Sequence, residues 1–272
     1  ITKEVADTRL LCFFSQYIMP LTNNDRKLYA DLDRAKTRRE HGLFMAEGTK
    51  CVLDTIGHFE VRSLCATDKW LAIHGHEIPH QVEIITVKRN ELERMSHLST
   101  APEVVAIYRI PQYTIDTEMM STSITLLLDR VQDPGNLGTI IRIADWYGVR
   151  QIICSPDTTD VWGPKVVQST MGAISRVKCH YTPLPDFISE HRGIPVYGTF
   201  LDGDNIYSCR LPETAMIVMG NEGQGISPEV EQAVSRRLLI PSYPPGAPTS
   251  ESLNVGMATA ITLSEFRRNL LG

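Results

Sequence analysis

Hydrophobic and polar positions follow two regimes along the chain. In the first, short apolar runs alternate with polar stretches of helical spacing. NDRKLYADLDRAKTRRE (24–40) predicts a polar helix with a basic end. GLFMAEG (42–48) predicts a short strand closed by Gly48, and TKCVLDTI (49–56) a helix. VRSLCAT (61–67), VEIITV (82–87) and EVVAIYRI (103–110) predict three further strands with helical patterns between them. Together they describe a small α/β unit over 20–110. PQYTIDTEMMST (111–122) shows no clear period and reads as a linker.

The second regime covers 123–272. ITLLLD (124–129), RQIICS (150–155), VKCHY (177–181), PVYGTF (195–200), AMIVMG (215–220) and RLLIP (237–241) are continuous apolar runs separated by helical patterns. LGTIIRIADWYG (137–148) has helical spacing and a glycine stop, and SLNVGMATAITLSEFRRNLL closes the chain as a long helix. Strands of this kind imply a parallel sheet covered on both faces. The fold class is therefore α/β, a larger parallel-sheet domain following a smaller N-terminal one. Residues 1–19 read as an extension, with Met19 as a plausible native start.

Composition narrows the function without naming it. The 272 residues are 42% hydrophobic and 22% charged, which excludes disordered and low-complexity classes. A formal net charge of -5 argues against a wholly basic nucleic-acid binder while leaving room for a local basic face. The cysteines Cys12, Cys51, Cys65, Cys154, Cys179 and Cys209 form no C-x-x-C pair, and structural thiols in a reducing cytoplasm are expected. The apolar stretch Leu10 to Met19 is too short for a membrane span, and acids flank it where a signal peptide carries bases. His74, His76 and His80 of HGHEIPH have no Cys or further His near in sequence, so no metal is expected.

Three loops carry the candidate chemistry: DRVQDPGNLGTIIR (129–142), MGNEGQGIS (219–227) and IPSYPPGAPTSESLNVG (240–256). Each follows a strand and precedes a helix, where backbone N–H groups and small polar side chains suit a polar ligand. Ordinary turn chemistry would explain any one of them alone. GNEGQG carries its glycines in the reverse order to a dinucleotide fingerprint and lies late in the domain; there is no P-loop and no nucleophile elbow.

Taken together, NLGTIIRIAD, IVMGNEGQGIS and IPSYPPGAPTSESLNV resemble, in this order, the three motifs of the SpoU/TrmH family of RNA ribose 2′-O-methyltransferases. KVVQSTMGA (165–173) is similar to a further family segment, and the region around RREHGLFMAEG resembles the family's small N-terminal substrate-binding domain. The resemblance implies a deep trefoil knot in the C-terminal domain, S-adenosylmethionine as cofactor, a homodimer, and no metal. It assigns functional polar roles to Asn136, Arg142, Glu222, Ser252 and Asn254. It places Gly220, Ile240 and Leu253 at the cofactor, with Thr199 and Leu201 in the loop that joins them. The motif-three loop departs from the family's compact form: SYPPGAPTSE is long and proline-rich, and Ser242 stands where methionine is frequent.

Methyl transfer to a ribose is an in-line displacement by a weakly acidic hydroxyl, so orientation and proton removal are the protein's tasks. The family assigns the base to the arginine here numbered Arg142. Free arginine has a pKa of about 12.5–13.8, so two roles stay open: proton acceptor, or clamp on an RNA phosphate that polarises the hydroxyl. Arg34, Lys36, Arg38 and Arg39 form the candidate RNA footprint. The expected activity is methylation of structured RNA, ribosomal RNA ahead of tRNA. The alternative is a catalytically silent RNA-binding relative.

Overall fold

The computed structural model describes residues 21–268 and Leu270. The extension 1–19, with Cys12 and the apolar stretch before Met19, lies outside the described residues. The chain forms two compact units. The first takes the described residues through Pro111 together with Trp162–Gly172, and the second takes Gln112–Val161 and the chain from Ala173 onward.

In the first unit four strands, β1 (Leu43–Glu47), β2 (Val61–Ala66), β3 (Ile84–Thr86) and β4 (Val104–Arg109), form a sheet of order β1-β4-β2-β3. β4 runs antiparallel to β1 and β2, and β3 runs parallel to β2. Tyr29, Leu32, Met45, Cys65, Val105 and Ile107 belong to one buried cluster. Phe44, Phe59 and Tyr108 form another, with ring centroids 5.1 to 5.6 Å apart. Burial pushes the Cys51 and Cys65 thiols up to about 12, so both are inert packing groups.

The single helix expected over 24–40 is two, Asn23–Ala30 and Ala35–His41, joined by a turn at Asp31–Asp33. Leu32 lies in the same buried cluster as Tyr29. The Arg38 guanidinium donates to the carbonyls of Leu32 (2.7 Å) and Asp33 (2.8 Å) that the break frees. Gly42, in the left-handed region at φ 63°, ends the second helix and turns the chain into β1.

The segment Trp162–Gly172 is fastened at both ends of its helix, Pro164–Thr170. Trp162 packs on Phe44, with centroids 4.6 Å apart, and meets Phe59 edge-on. Gly172, at φ +88°, lies so close to Asp54 that a Cβ would come within 2.4 Å of the aspartate Cβ. Only glycine fits both the conformation and the approach.

The second unit holds six strands: β5 (Ile124–Leu128), β6 (Gln151–Cys154), β7 (Lys178–Tyr181), β8 (Val196–Asn205), β9 (Ala215–Met219) and β10 (Arg236–Leu239). All pairs are parallel, in the order β10-β8-β9-β5-β6-β7. Leu127, Ile153, Met216 and Val218 share one core with Phe187 and Ile226. Leu126, Leu128 and Ile217 alternate to the opposite face, and the buried Ile140, Ala144, Leu263 and Phe266 belong to the two long helices, Pro134–Trp146 and Val255–Arg268. The stretch expected to be an unstructured linker contains a helix, Thr117–Thr122, capped by Asp116 and held by buried Met120. Among the described residues, no helix is long and apolar enough to cross a membrane.

The strand order places a switch point beside β5. The chain leaves β5 toward β6 and β7, then returns to the other side through β8 and β9, so a crevice opens beyond the carboxyl ends of β5 and β9.

In the first unit, buried Glu47 accepts hydrogen bonds from Ser96 Oγ and from the backbone N–H of His97 (3.2 Å). Both ring nitrogens of His97 face acceptors, Nδ1 toward Glu47 (3.2 Å) and Nε2 toward the Ala30 carbonyl (2.9 Å). Only the imidazolium can donate to both. The Glu47 hydrogen bond raises the His97 pKa, against burial and with help from the Ala30 carbonyl. A raised folded pKa gives stability that is complete below the unfolded value of about 6.5 and is lost as pH rises through the folded value. Burial, then Lys178, lowers the pKa of His180 in the second unit, so its effect has the opposite sign. The stability deficit of His97→Gln against wild type, read from urea midpoints, will be largest below about pH 6 and shrink toward alkaline pH. A deficit independent of pH would contradict this account.

Candidate active site

The loops after β5 and β9 are stitched together by their own polar groups. Buried Asp129 accepts from Ser227 N at 2.6 Å. Asn221 Nδ2 donates to the Arg130 carbonyl at 2.8 Å, while its Oδ1 accepts from Gly223 N and Gln224 N. The GNEGQG loop closes on itself through reciprocal 2.9 Å hydrogen bonds between the Asn221 and Gly225 backbones. Gly220 sits under this closure. A Cβ there would lie 2.4 Å from the Gly225 carbonyl carbon and from Ile226 N, which are backbone atoms with little freedom to move aside.

A hydrogen-bond chain then joins the three motifs. Asp133 caps the helix Pro134–Trp146 by accepting from Asn136 N at 2.8 Å, which presents the Asn136 side chain at the helix start. Asn254 Oδ1 caps the last helix by accepting from Gly256 N (2.9 Å) and Met257 N (3.2 Å). Its Nδ2 must therefore face outward, and it donates to Asn136 Oδ1 at 2.9 Å. Asn136 Nδ2 in turn donates to Glu222 Oε1 at 2.8 Å. The backbone cap fixes the polarity of the whole chain. Asn254 is thus both a helix cap and part of the site.

Glu222 is also in the wall of a cavity of about 440 Å³. Thr199, Leu201, Gly220, Ile240, Ser252 and Leu253, all expected from the motifs, line it as well. Thr199 and Leu201 were expected in a loop; they lie on β8, which continues to Asn205 beside β10. The wall also carries the carboxylates of Asp202, Glu231 and Glu251. Arg237 reaches both Asp202 and Glu231 and stacks 3.6 Å over the Phe200 ring, bracing the β8 side of the cavity. Asn221 and Arg237 were not singled out in the sequence.

Arg142 stands apart from this group. It is exposed on its helix, is not part of the cavity wall, and has no hydrogen bond or ion pair among the described residues. The neighbouring acid that might have held it, Asp145, binds Arg150 (2.9 Å) and Arg176 (2.8 Å) instead. The basic footprint needs one correction. Arg38 is 4% exposed and bonded to backbone carbonyls, so it cannot meet RNA. Arg34, Lys36 and Arg39 are exposed, with Arg34 near Asp31 (4.0 Å) and Lys36 near Glu40 (3.7 Å). His74 pairs with Glu77 at 2.7 Å, and among the described residues no three His, Cys, Asp or Glu gather as metal ligands.

Replacing Asn254 by alanine removes a helix cap and frees Asn136 together. The expected cost is about 1 kcal/mol of stability, read from urea melts. Asn254→Asp should keep the cap and lose the donor to Asn136. A wild-type stability for Asn254→Asp would contradict the relay.

Comparison with known proteins identifies the family. Residues 123–264 match the SpoU rRNA Methylase family, and residues 23–106 match an MRM3-like substrate binding domain. The chain is 28% identical over 250 residues to the 23S rRNA (guanosine(2553)-2′-O)-methyltransferase RlmP of Bacillus subtilis, covering 89% of this chain and 94% of that protein. A solved TrmH-family structure from Porphyromonas gingivalis is 37% identical with a TM-score of 0.81, covering 92% of this chain and 100% of that one. An AdoMet-bound rRNA methyltransferase from Sinorhizobium meliloti is 29% identical with a TM-score of 0.80, covering 94% and 98%. The chain belongs to the SpoU rRNA methylase family.

Proposed function

We propose that this chain transfers the methyl group of S-adenosylmethionine to a ribose 2′-hydroxyl of structured RNA, and that the RNA is ribosomal. The observation that carries this reading is the Asn254–Asn136–Glu222 chain, which ends on a carboxylate in the wall of the cavity. The donor set fits the cofactor. Four carboxylates line the cavity, Asp202, Glu222, Glu231 and Glu251, and Arg237 offsets two of them. That balance favours a ligand carrying positive charge. S-adenosylmethionine supplies an electrophilic methyl carbon on a cationic sulfur.

The chain's own residues then have separable tasks. Main-chain atoms at Gly220 and Ile240, with Thr199 and Leu201 on β8 and Leu253 opposite, bind and shape the cofactor cavity. Glu222 and Asn254 hold Asn136 in one orientation toward the ribose. Ser252 completes the polar edge. Bound there, S-adenosylmethionine would supply the methyl carbon to the ribose oxygen, and the hydroxyl proton would pass to solvent water at the open edge of the site. Arg142 holds an RNA phosphate and polarises that hydroxyl, because its five N–H donors face solvent without a protein partner among the described residues. Arg34, Lys36 and Arg39 add local, salt-sensitive contacts to RNA.

The same reading includes a homodimer. Trp146, 84% exposed, and Met257 stand on the two long helices, which pack together. A second copy of the chain would cover this apolar face. A deep trefoil knot in the C-terminal domain is part of the proposal, carried by the resemblance to the SpoU/TrmH family. The reaction calls for no metal. A reducing cytoplasm suits the free thiols of Cys51, Cys65 and Cys154.

Two variants separate the tasks. Gly220→Ala should weaken S-adenosylmethionine binding at least about tenfold by calorimetry, since its Cβ displaces the loop. Arg142→Ala should bind cofactor normally and lose about 100-fold in methyl transfer to rRNA. Loss of cofactor binding in Arg142→Ala would contradict the assignment. Light scattering should give a dimer for wild type and a smaller species for Trp146→Glu. A monomeric wild type would remove the dimer from the reading.

A further inference from the structure

One wall of the 440 Å³ cavity is built from an interruption in the sheet. β8 and β10 pair in register as far as Gly198↔Arg237, and the next pair is Asp204↔Leu238. On its other side, β8 pairs with β9 only as far as Gly198. Residues 199–203 therefore have no register partner on either neighbouring strand and form a large bulge. Bulges of this kind re-aim side chains beside functional sites. Thr199, Phe200, Leu201 and Asp202 of the bulge line the cavity. Sheet pairing alone does not hold them there.

Arg237 supplies the hold. It stands at the foot of the bulge, in the last register pair before the interruption. Its Nε donates to the Asp202 carbonyl at 3.4 Å, and its Nη2 binds the Asp202 carboxylate. Its Nη1 binds the Glu231 carboxylate, on the short helix that follows the GNEGQG loop. The guanidinium plane lies 3.6 Å over the Phe200 ring. The chain is also shaped for close approach here. A Cβ on Gly198 would meet the Phe200 ring at 2.6 Å, and one on Gly203 would meet the Arg237 carbonyl oxygen at 2.8 Å. Phe200, Asp202 and Glu231 are all wall residues, whereas Arg237 is not. It acts on the cavity only through them. A planar, forked cation is needed to bind two carboxylates and stack on a ring at once; lysine offers a point charge on a flexible stem.

The side chain carried within the bulge shows what the hold is for. Leu201 is 73% exposed although it lines the cavity, and Leu253 of the third motif is 49% exposed in the same wall. A ligand seated in the cavity covers apolar surface of this kind. A wall that is already ordered binds more tightly than one that must be ordered by the ligand. We propose that Arg237 is a positioning residue for S-adenosylmethionine: without touching the cofactor, it fixes the 199–203 bulge so that Thr199 and Leu201 meet the ligand in place. The proposal rests on the reading of this cavity as the cofactor site.

The test compares the full-length wild type with Arg237→Lys, which keeps the charge and loses the fork. Calorimetry should show S-adenosylmethionine binding about tenfold weaker in the variant. KM for S-adenosylmethionine should rise in parallel, with kcat at saturating cofactor and KM for rRNA unchanged. A merely structural loss would lower kcat through the folded fraction and leave the cofactor Kd alone. Amide hydrogen exchange without ligand should quicken in a peptide spanning 199–205 and stay unchanged in β5 and β9. Asp202→Asn should weaken binding less, and the double variant no more than Arg237→Lys alone. Wild-type cofactor affinity in Arg237→Lys, unchanged exchange in 199–205, or additive losses in the double variant would overturn the proposal. A wild type that binds no S-adenosylmethionine would instead overturn the cofactor reading on which it rests.

Discussion

The hydrogen-bond chain from Asn254 through Asn136 to Glu222 is the constraint on which the rest of the methylase unit depends. Each member comes from a different motif, and the bonds span 118 and 86 residues of sequence. Each side chain has a single useful orientation, because the cap of the last helix fixes Asn254 and the bonds that follow fix the others. The chain cannot form until β5 and β9 lie side by side and the last helix has docked. It therefore depends on contacts that are distant in sequence. Gly220 serves the same end by letting the GNEGQG loop close tightly enough to present Glu222.

Charge is distributed to match these tasks. The chain as a whole carries -5, and the cavity proposed for the cofactor concentrates acids, two of them braced by Arg237. Exposed positive charge sits elsewhere, on Arg34, Lys36, Arg39 and Arg142, the residues proposed to meet RNA. A negative cavity and separate exposed cations suit a reaction between a cationic small molecule and a polyanion. An electropositive cofactor pocket would draw RNA phosphate into the wrong place.

Much of this was legible in the sequence, and the reasons can be named. The runs at β5, β6 and β9 are apolar throughout because a parallel sheet is buried on both faces, so they stand out without context. The motif residues Asn136, Glu222 and Asn254 fall where a strand meets a helix, and the structure joins them. Arg38 was misread because a guanidinium on backbone carbonyls looks the same in sequence as one in water. The break at Asp31–Asp33 is held by buried Arg38 on the carbonyls of Leu32 and Asp33, and the helix in 117–122 by the burial of Met120. Both are tertiary demands that outweigh local pattern. The grouping of Trp162–Gly172 with the first unit follows from aromatic contacts with Phe44 and Phe59, more than 100 residues away in the sequence.

The central claim concerns the atom that receives the methyl group. The most direct measurement incubates the purified chain with methyl-labelled S-adenosylmethionine and unmodified ribosomal RNA, followed by complete alkaline hydrolysis. Alkali cuts RNA through the free 2′-hydroxyl, so a 2′-O-methylated position survives as a labelled dinucleotide. The account predicts that label in the alkali-resistant fraction. Label released in mononucleotides would place the methyl group on a base and contradict it.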